Sequence, residues 1–432
     1  MGKNLIQSGI GFSKEKDSYQ ATKLAAKTAL KQLKGKAPGL TLVFYAGNYN
    51  PKEINKALKE EFKGTEFIGG STDAVIYKDN VYAEGIVITS MYSTYLHFGV
   101  SSIDNISKNP KKLAAQTIKN AVGKTELNSY TDSYMAFSRV KKGNLTELIR
   151  IPSFFVFAFT RGYQPTRMGN EDLIIEGIGE TIGHYIPVFG GSLGNDMDKV
   201  FSNTPYDITT FHSGKIMKDG LVTAFACTGL AYASSLAHGA KPLNHLGYVS
   251  DVTGHGFVVS KINDKPIIDW YAKNIGVTKK EFMKKLLFYT QKYPLGFPDG
   301  YGNIVMRAGG VPHPKGLAYI APFKENTPVY IMNVNDNKQL MKSNKELLSS
   351  LNSHMSIKEQ PTLNFLVSCS SRRRILDKRS YKKELTQLSK QSKSPLFGFC
   401  SFGEIGSKPA ETCHFQHLCT NVFTVYNKLL SK

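Results

Sequence analysis

EFIGGSTDAVIY (residues 66–77) and IPVFGGSLGND (186–196) carry one pattern twice. Each opens on an apolar run that reads as a strand and enters Gly-Gly-Ser, where polar groups follow. Upstream of each stands a second apolar run, TLVFYAG (41–47) and FFVFAFT (154–160). Such near-continuous runs suit strands buried on both faces. A helix signal lies between the two strands of each set. In the first, Asn50 caps, Pro51 takes the first turn and Glu53 follows three after the cap. In the second, Asn170 precedes EDLIIEGIGE. Downstream come closing strands, EGIVITSMYS (84–93) and KDGLVTAFACT (218–228).

The two Gly-Gly-Ser elements begin at Gly69 and Gly190, 121 residues apart. One such tripeptide recurs by chance; strand, helix, strand into Gly-Gly-Ser and strand in the same order point to internal duplication. A weaker third copy closes the chain: TLNFLVSCSS (362–371), SYKKELTQLSKQ (380–391), PLFGFCSFGEIG (395–406) and CTNVFTVYNKL (419–429). The pattern predicts an α/β fold with mixed sheets, built of repeated strand–helix–strand–strand units in two associated domains. We place these at 1–235 and 236–432, because small residues and SSLAHGAKPLNH (234–245) interrupt the pattern there. The Gly-Gly-Ser elements themselves are expected to be tight turns.

Composition bounds the function. The chain has 432 residues, 41% hydrophobic and 21% charged, enough apolar material for sizeable cores. Five cysteines at irregular spacing form no disulfide framework, which suits a reducing cytoplasmic location. The best membrane candidate, 221–240, is carried by Ala, Gly and Ser and reads as a strand plus a small-residue linker. No apolar secretory run opens the chain, and Ile6 breaks the myristoylation pattern after Gly2. The net charge of +21 reads as a lysine-rich solvated surface. It peaks at 371–383, where Arg372, Arg373, Arg374, Lys378, Arg379, Lys382 and Lys383 face one acid, Asp377. An anionic partner held there would leave steeply with salt. Without zinc-finger spacing or RNA-binding aromatics, nucleic acid is not the expected partner.

Taken together, the motifs resemble the FIST family. TLVFYAG, IGGSTDA (68–74) and FGGSLGND (189–196) resemble a FIST N-terminal domain. HGAKP (238–242), VTGHGFVVSKINDKPIIDWYAKNIGV (252–277), NIVMRAGGVPHPKGLAYIAPFKENTPVYIM (303–332), LVSCSSRR (366–373) and PLFGFCSFGEIG resemble a FIST C-terminal domain. The order of these motifs along 5–430 carries the likeness. The resemblance implies a sensory protein of signal transduction that binds a small polar ligand, with amino acids among the ligands proposed for the family. Some members are haem-bound nitric-oxide sensors, and others are adaptors in ubiquitin ligation. A separate signalling protein would be a further partner. Two departures stand out: Gly70-Ser71-Thr72 replaces the family's usual small trio, and His417-Leu418-Cys419-Thr420 lacks the Asn that usually precedes the closing Thr.

Candidate ligand residues follow from the strand ends, where α/β proteins hold ligands. They are Gly69, Gly70, Ser71, Thr72 and Asp73, and Gly190, Gly191, Ser192, Asn195 and Asp196. Packing requirements alone would also explain the glycines. Arg372, ending an apolar strand, and Glu404 complete the set, either gripping a ligand carboxylate or pairing with each other. CHFQHLC (413–419), read as one strand, puts Cys413, Phe415, His417 and Cys419 on one face, poorly placed for a metal tetrahedron. No cofactor is expected; were haem bound, His184, His238 and His417 lie nearest the matched motifs. No nucleophile elbow, metalloprotease helix or phosphate loop is present, so binding rather than catalysis is expected.

Overall fold

The computed structural model describes residues 4–125, 153–164, 167–202, 204–353, 361–390 and 394–430. Its class is mixed α/β. Three six-stranded sheets share one strand order. In the first, Gln7–Ser13, Gly85–Tyr92, Leu40–Ala46 and Phe67–Ser71 lie side by side. The second orders Leu96–Ile103, Leu221–Thr228, Ser153–Arg161 and Val188–Leu193 in the same way. The third repeats it with Leu230–Ala237, Thr420–Leu429, Pro361–Cys369 and Leu396–Ser401. In every copy the last two strands named are parallel and the other pairings antiparallel. The third copy, faint in sequence, is a full member of the set.

A hairpin completes each sheet, and it always comes from another unit. Ala74–Tyr77 and Asn80–Tyr82 follow the first unit's Gly-Gly-Ser but pair onto Leu396–Ser401. Thr210–His212 and Lys215–Met217, from the second unit, pair onto Phe67–Ser71. Glu404–Gly406 and His414–Gln416, from the third, pair onto Val188–Leu193. This closed exchange interlocks the units: none can complete its sheet without a neighbour.

The inner faces of all three sheets meet in one aromatic core that includes Phe44, Phe157, Phe159, Phe189, Phe365, Phe399 and Phe423. Phe44 and Phe399 stack with centroids 4.3 Å apart across two units. Each such ring buries roughly 150–250 Å². Helices cover the outer faces: Ser18–Gln32 and Pro51–Glu61 on the first sheet, Pro110–Gly123 and Glu171–Ile182 on the second, Asn337–Ser353 and Lys378–Ser389 on the third. The third unit is interrupted between Leu230–Ala237 and Asn337–Ser353 by a fourth sheet with its own core around Trp270, Tyr271, Phe282 and Tyr319.

Several expectations change. The Gly-Gly-Ser elements are strand, not turn. Gly69 pairs with Val43, Gly190 with Ala158 and Gly398 with Leu366. A Cβ on these glycines would stand 1.8 Å, 1.9 Å and 1.8 Å from the partner's carbonyl oxygen. The parallel strands approach too closely for a side chain, so packing demands glycine there. The small-residue linker after Thr228 is the strand Leu230–Ala237, paired with the C-terminal strand, and residue 235 falls inside it. Asn170 does not cap its helix; its Nδ2 donates to Ser107 Oγ at 3.2 Å instead. CHFQHLC is not one strand, because Leu418 has φ +64° between His414–Gln416 and Thr420–Leu429. Among the described residues no helix is long and apolar enough to cross a membrane.

Candidate functional site

Most of the residues singled out in sequence serve the junctions between units. Ser71 Oγ accepts from the Thr209 N–H at 2.9 Å, and Thr72 Oγ1 donates to the Cys400 carbonyl. Ser192 Oγ donates to the buried Glu171 carboxyl. Asp73, with its side chain 1% exposed, accepts from the Met197 N–H at 2.9 Å and from Arg373 Nη2 at 2.7 Å. Its charge therefore ties the first unit to the second and third. Asp196 caps the helix Met197–Phe201 through the Asp198 N–H, and Asn195 holds the Asp207 carbonyl.

Arg372 and Glu404 do not pair. Arg372 binds Glu384 at 3.1 Å and donates to the carbonyls of His238 (2.8 Å), Leu340 (3.0 Å) and Leu418 (3.3 Å) and to Ser343 Oγ (3.1 Å). The helix Lys378–Ser389, which brings Glu384 inward, decides this pairing. Glu404 accepts from Ser401 Oγ at 2.5 Å and from the Cys419 N–H at 3.1 Å. Burial pushes its carboxyl up to about 8. The basic run at 371–383 is largely spent inside the chain: besides Arg372 and Arg373, Arg374 meets Asp198 at 2.8 Å and Lys382 meets Asp79 at 2.8 Å. Among the described residues no three His, Cys, Asp or Glu side chains are grouped to hold a metal.

Polar groups converge instead in a cleft of about 830 Å³ between the third unit and its inserted sheet. Four separate stretches line it: 235–241, the loop before Ile304–Arg307, the helix Asn337–Ser353, and 407–416. The Asn303 amide lies in its wall. Its Nδ2 donates to Asp299 Oδ2 and to Glu411 Oε2, both at 2.9 Å, and its Oδ1 accepts from Lys408 Nζ. Asp299 also caps its own loop through the N–H groups of Tyr301 (2.7 Å) and Asn303 (3.0 Å). Burial works against that charge, but the bonds outweigh it and hold the carboxyl below its usual range.

His238 forms part of the cleft wall. Its Nδ1 accepts from the Ala240 N–H at 3.0 Å, which leaves the neutral ring's proton on Nε2. Burial, then the charges of Arg372 and Lys408, lower this imidazole to about 4. Arg372 thus acts on the cleft indirectly, by gripping the His238 carbonyl and the Leu340 carbonyl behind the wall. His414 is likewise held below its ordinary value, chiefly by burial. Lys241, Lys345 and Lys408 face Asp299, Glu346 and Glu411 around the cleft. Among the described residues that line the cleft, none is a Phe, Tyr or Trp that could offer a face to a porphyrin, and side chains of both charges stand in the wall, a lining that does not fit haem. Of the three histidines near the matched motifs, His184 is exposed and His417 is buried with neither ring nitrogen bonded.

None of the twelve candidate residues lines this cleft. The signal was nevertheless in view: HGAKP, the start of NIVMRAGG and the residues after FGEIG all contribute. Each is unremarkable alone, and only the insertion brings them together.

The FIST N domain model matches residues 39–265. The chain belongs to the FIST family. The FIST C domain model matches residues 268–407, so HGAKP falls under the first match and Lys408 lies one residue beyond the second. FIST domains are sensory domains of signal transduction. No curated protein matches the sequence. Among solved structures, cyanuric acid hydrolase from A. caulinodans is 7% identical, with 97% of this FIST chain and 99% of that one covered and a TM-score of 0.36. A second cyanuric acid hydrolase, described as an evolutionary innovation by structural concatenation, is 10% identical over 54% of this chain and 72% of its own, with a TM-score of 0.30. Scores this low carry no argument about the FIST chain.

Proposed function

We propose that this FIST protein senses a small polar molecule bearing both charges, such as an amino acid, in the cleft around Asn303. One observation carries the reading. A single amide joins two carboxylates and an ammonium at the wall of a cleft of about 830 Å³, built from both family segments. Lys408 suits a ligand carboxylate, and Glu411 suits an ammonium or hydroxyl. Binding, not turnover, is the role assigned to this cleft, since an imidazole whose conjugate acid lies near pH 4 is a weak base at neutral pH. The bound state would pass to a separate signalling protein through the helix Asn337–Ser353, which forms one wall of the cleft and packs on the third sheet.

The test combines mass spectrometry of small molecules released from the purified protein with thermal-shift titration of those compounds. Asn303→Ala and Lys408→Ala should each weaken binding by about 1.5–3 kcal/mol, the range for a hydrogen bond to a charged group. Full ligand response in both variants would refute the assignment.

A further inference from the structure

A second constellation stands apart from the cleft, at the seam where the first two sheets meet. Ser102 lies on the edge strand Leu96–Ile103 of the second sheet. His212 lies on the exchanged hairpin, paired opposite Ile68 of the first sheet, and Glu66 immediately precedes that strand. Ser102 Oγ stands 2.6 Å from His212 Nδ1. His212 Nε2 stands 3.1 Å from Glu66 Oε2. Hydroxyl, imidazole and carboxylate therefore form one chain of hydrogen bonds, drawn from three stretches far apart in sequence. Glu66 also accepts from Ser213 Oγ, which fixes the carboxylate's orientation. The His212 bond, opposed by burial, holds that carboxyl below its usual range.

The hydroxyl end of the chain opens on solvent. Ser102 and His212 line a cleft of about 520 Å³ whose other walls carry Lys119, Asn120, Lys124 and Lys215. Among the described residues no carboxylate lines it. Lys124 Nζ is anchored on the Val100 carbonyl at 2.9 Å. A hydrogen-bonded seam between sheets would explain the three-residue chain by itself. It would not explain why the serine faces a cavity rimmed by three ammonium groups and an amide.

We propose that Ser102, His212 and Glu66 form a nucleophilic serine site that accepts an acyl group from an ester bearing an anionic substituent. Nucleophile, base and orienting carboxylate are recognised by geometry and role, not by sequence order. His212 carries its proton on Nε2, toward Glu66, and presents Nδ1 as base to Ser102. Ser102 Oγ attacks the ester carbonyl as its proton passes to Nδ1. The lysine ammonium groups and the Asn120 amide face the oxygen on which negative charge develops. The carbon–oxygen bond to the leaving alcohol then breaks, and that alkoxide takes the proton from Nδ1. Water resolves the acyl-serine by the same route: its oxygen bonds to the carbonyl carbon as its proton passes to Nδ1, the carbon–Oγ bond then breaks to release the acid, and Ser102 Oγ takes the proton back from Nδ1. The lysines select the substrate, favouring a carboxylate or phosphate on either side of the ester. Glu66 acts as a positioning residue.

The site lies outside the sensory cleft, so its test is independent of the proposed function. The full chain is treated with a fluorophosphonate probe and the adduct is located by mass spectrometry. The expected result is one equivalent of label on Ser102, with ester turnover faster for a p-nitrophenyl ester ending in a carboxylate than for p-nitrophenyl acetate. Ser102→Ala removes the label. His212→Gln slows labelling by at least about 100-fold, the low end of what a general base contributes. Glu66→Gln slows it at least about tenfold and Glu66→Asp restores part of the rate, which a purely structural carboxylate would not do. Lys27→Ala, on the exposed face of the helix Ser18–Gln32, labels as wild type does. Absence of label from the wild-type chain, or label on another serine, overturns the proposal without recourse to any variant. Equal turnover of the neutral and anionic esters overturns the assigned substrate class.

Discussion

Replacing Glu404 by Gln should make the protein more stable, and the gain should grow with pH. In the folded chain burial holds the carboxyl near 8, whereas its ordinary value is 4.5. Between those limits the folded state keeps a proton that the unfolded state has released. The folded pKa is raised for an acid, so stability falls as pH rises through this window. The slope approaches about 1.4 kcal/mol per pH unit, so from pH 5.5 to 7.5 the loss is on the order of 2–3 kcal/mol. Glutamine has no proton to lose, yet it can still accept from the Cys419 N–H and meet Ser401 Oγ. Neighbouring Cys369 does not disturb the comparison, because burial pushes its thiol well up and keeps it neutral throughout. Unfolding entropy of about 2.1 cal/mol/K per residue gives about 1 °C per kcal/mol in a chain of this length. Scanning fluorimetry at half-unit steps of pH should therefore show the Glu404→Gln midpoint pulling ahead of wild type by about 2–3 °C between pH 5.5 and 7.5. Other titrating groups are common to both proteins and cancel in the difference. A difference that stays flat across that window, or that narrows with pH, would refute a buried neutral carboxyl at this junction.

Asp73→Asn should destabilise the fold by about 2–4 kcal/mol, because it keeps the Met197 bond but leaves Arg373 without its counter-charge at a buried junction; thermal unfolding measures this, and ligand response in the cleft should be unchanged. Gly190→Ala should cost about 3 kcal/mol, since its Cβ would stand 1.9 Å from the Ala158 carbonyl oxygen. Gly123→Ala, where no described residue lies within 4 Å of the added Cβ, should be neutral or slightly stabilising, and urea titration measures both glycine variants.

The sequence by itself determined the repeat unit. Apolar runs such as TLVFYAG and FFVFAFT, a helix between strands and a glycine at the close parallel approach are local requirements, so they recur wherever the unit recurs. The third copy followed the same rule more faintly, with Phe399 and Cys400 where the others have glycine and serine. Tertiary structure alone decided which hairpin completes which sheet, because pairing partners lie hundreds of residues apart and any exposed strand edge would satisfy a hairpin's hydrogen bonds. That exchange places His212 beside Glu66 and Ser102, and it turns the Gly-Gly-Ser elements inward as junctions. The partner of Arg372 was settled the same way: its charge required a carboxylate, but only the position of the helix bearing Glu384 chose which. The cleft around Asn303 depends on an insertion into the third unit, whose sequence reads as ordinary strands and helices. Local pattern fixes what each segment becomes; the packing of distant segments against one another fixes which polar groups meet.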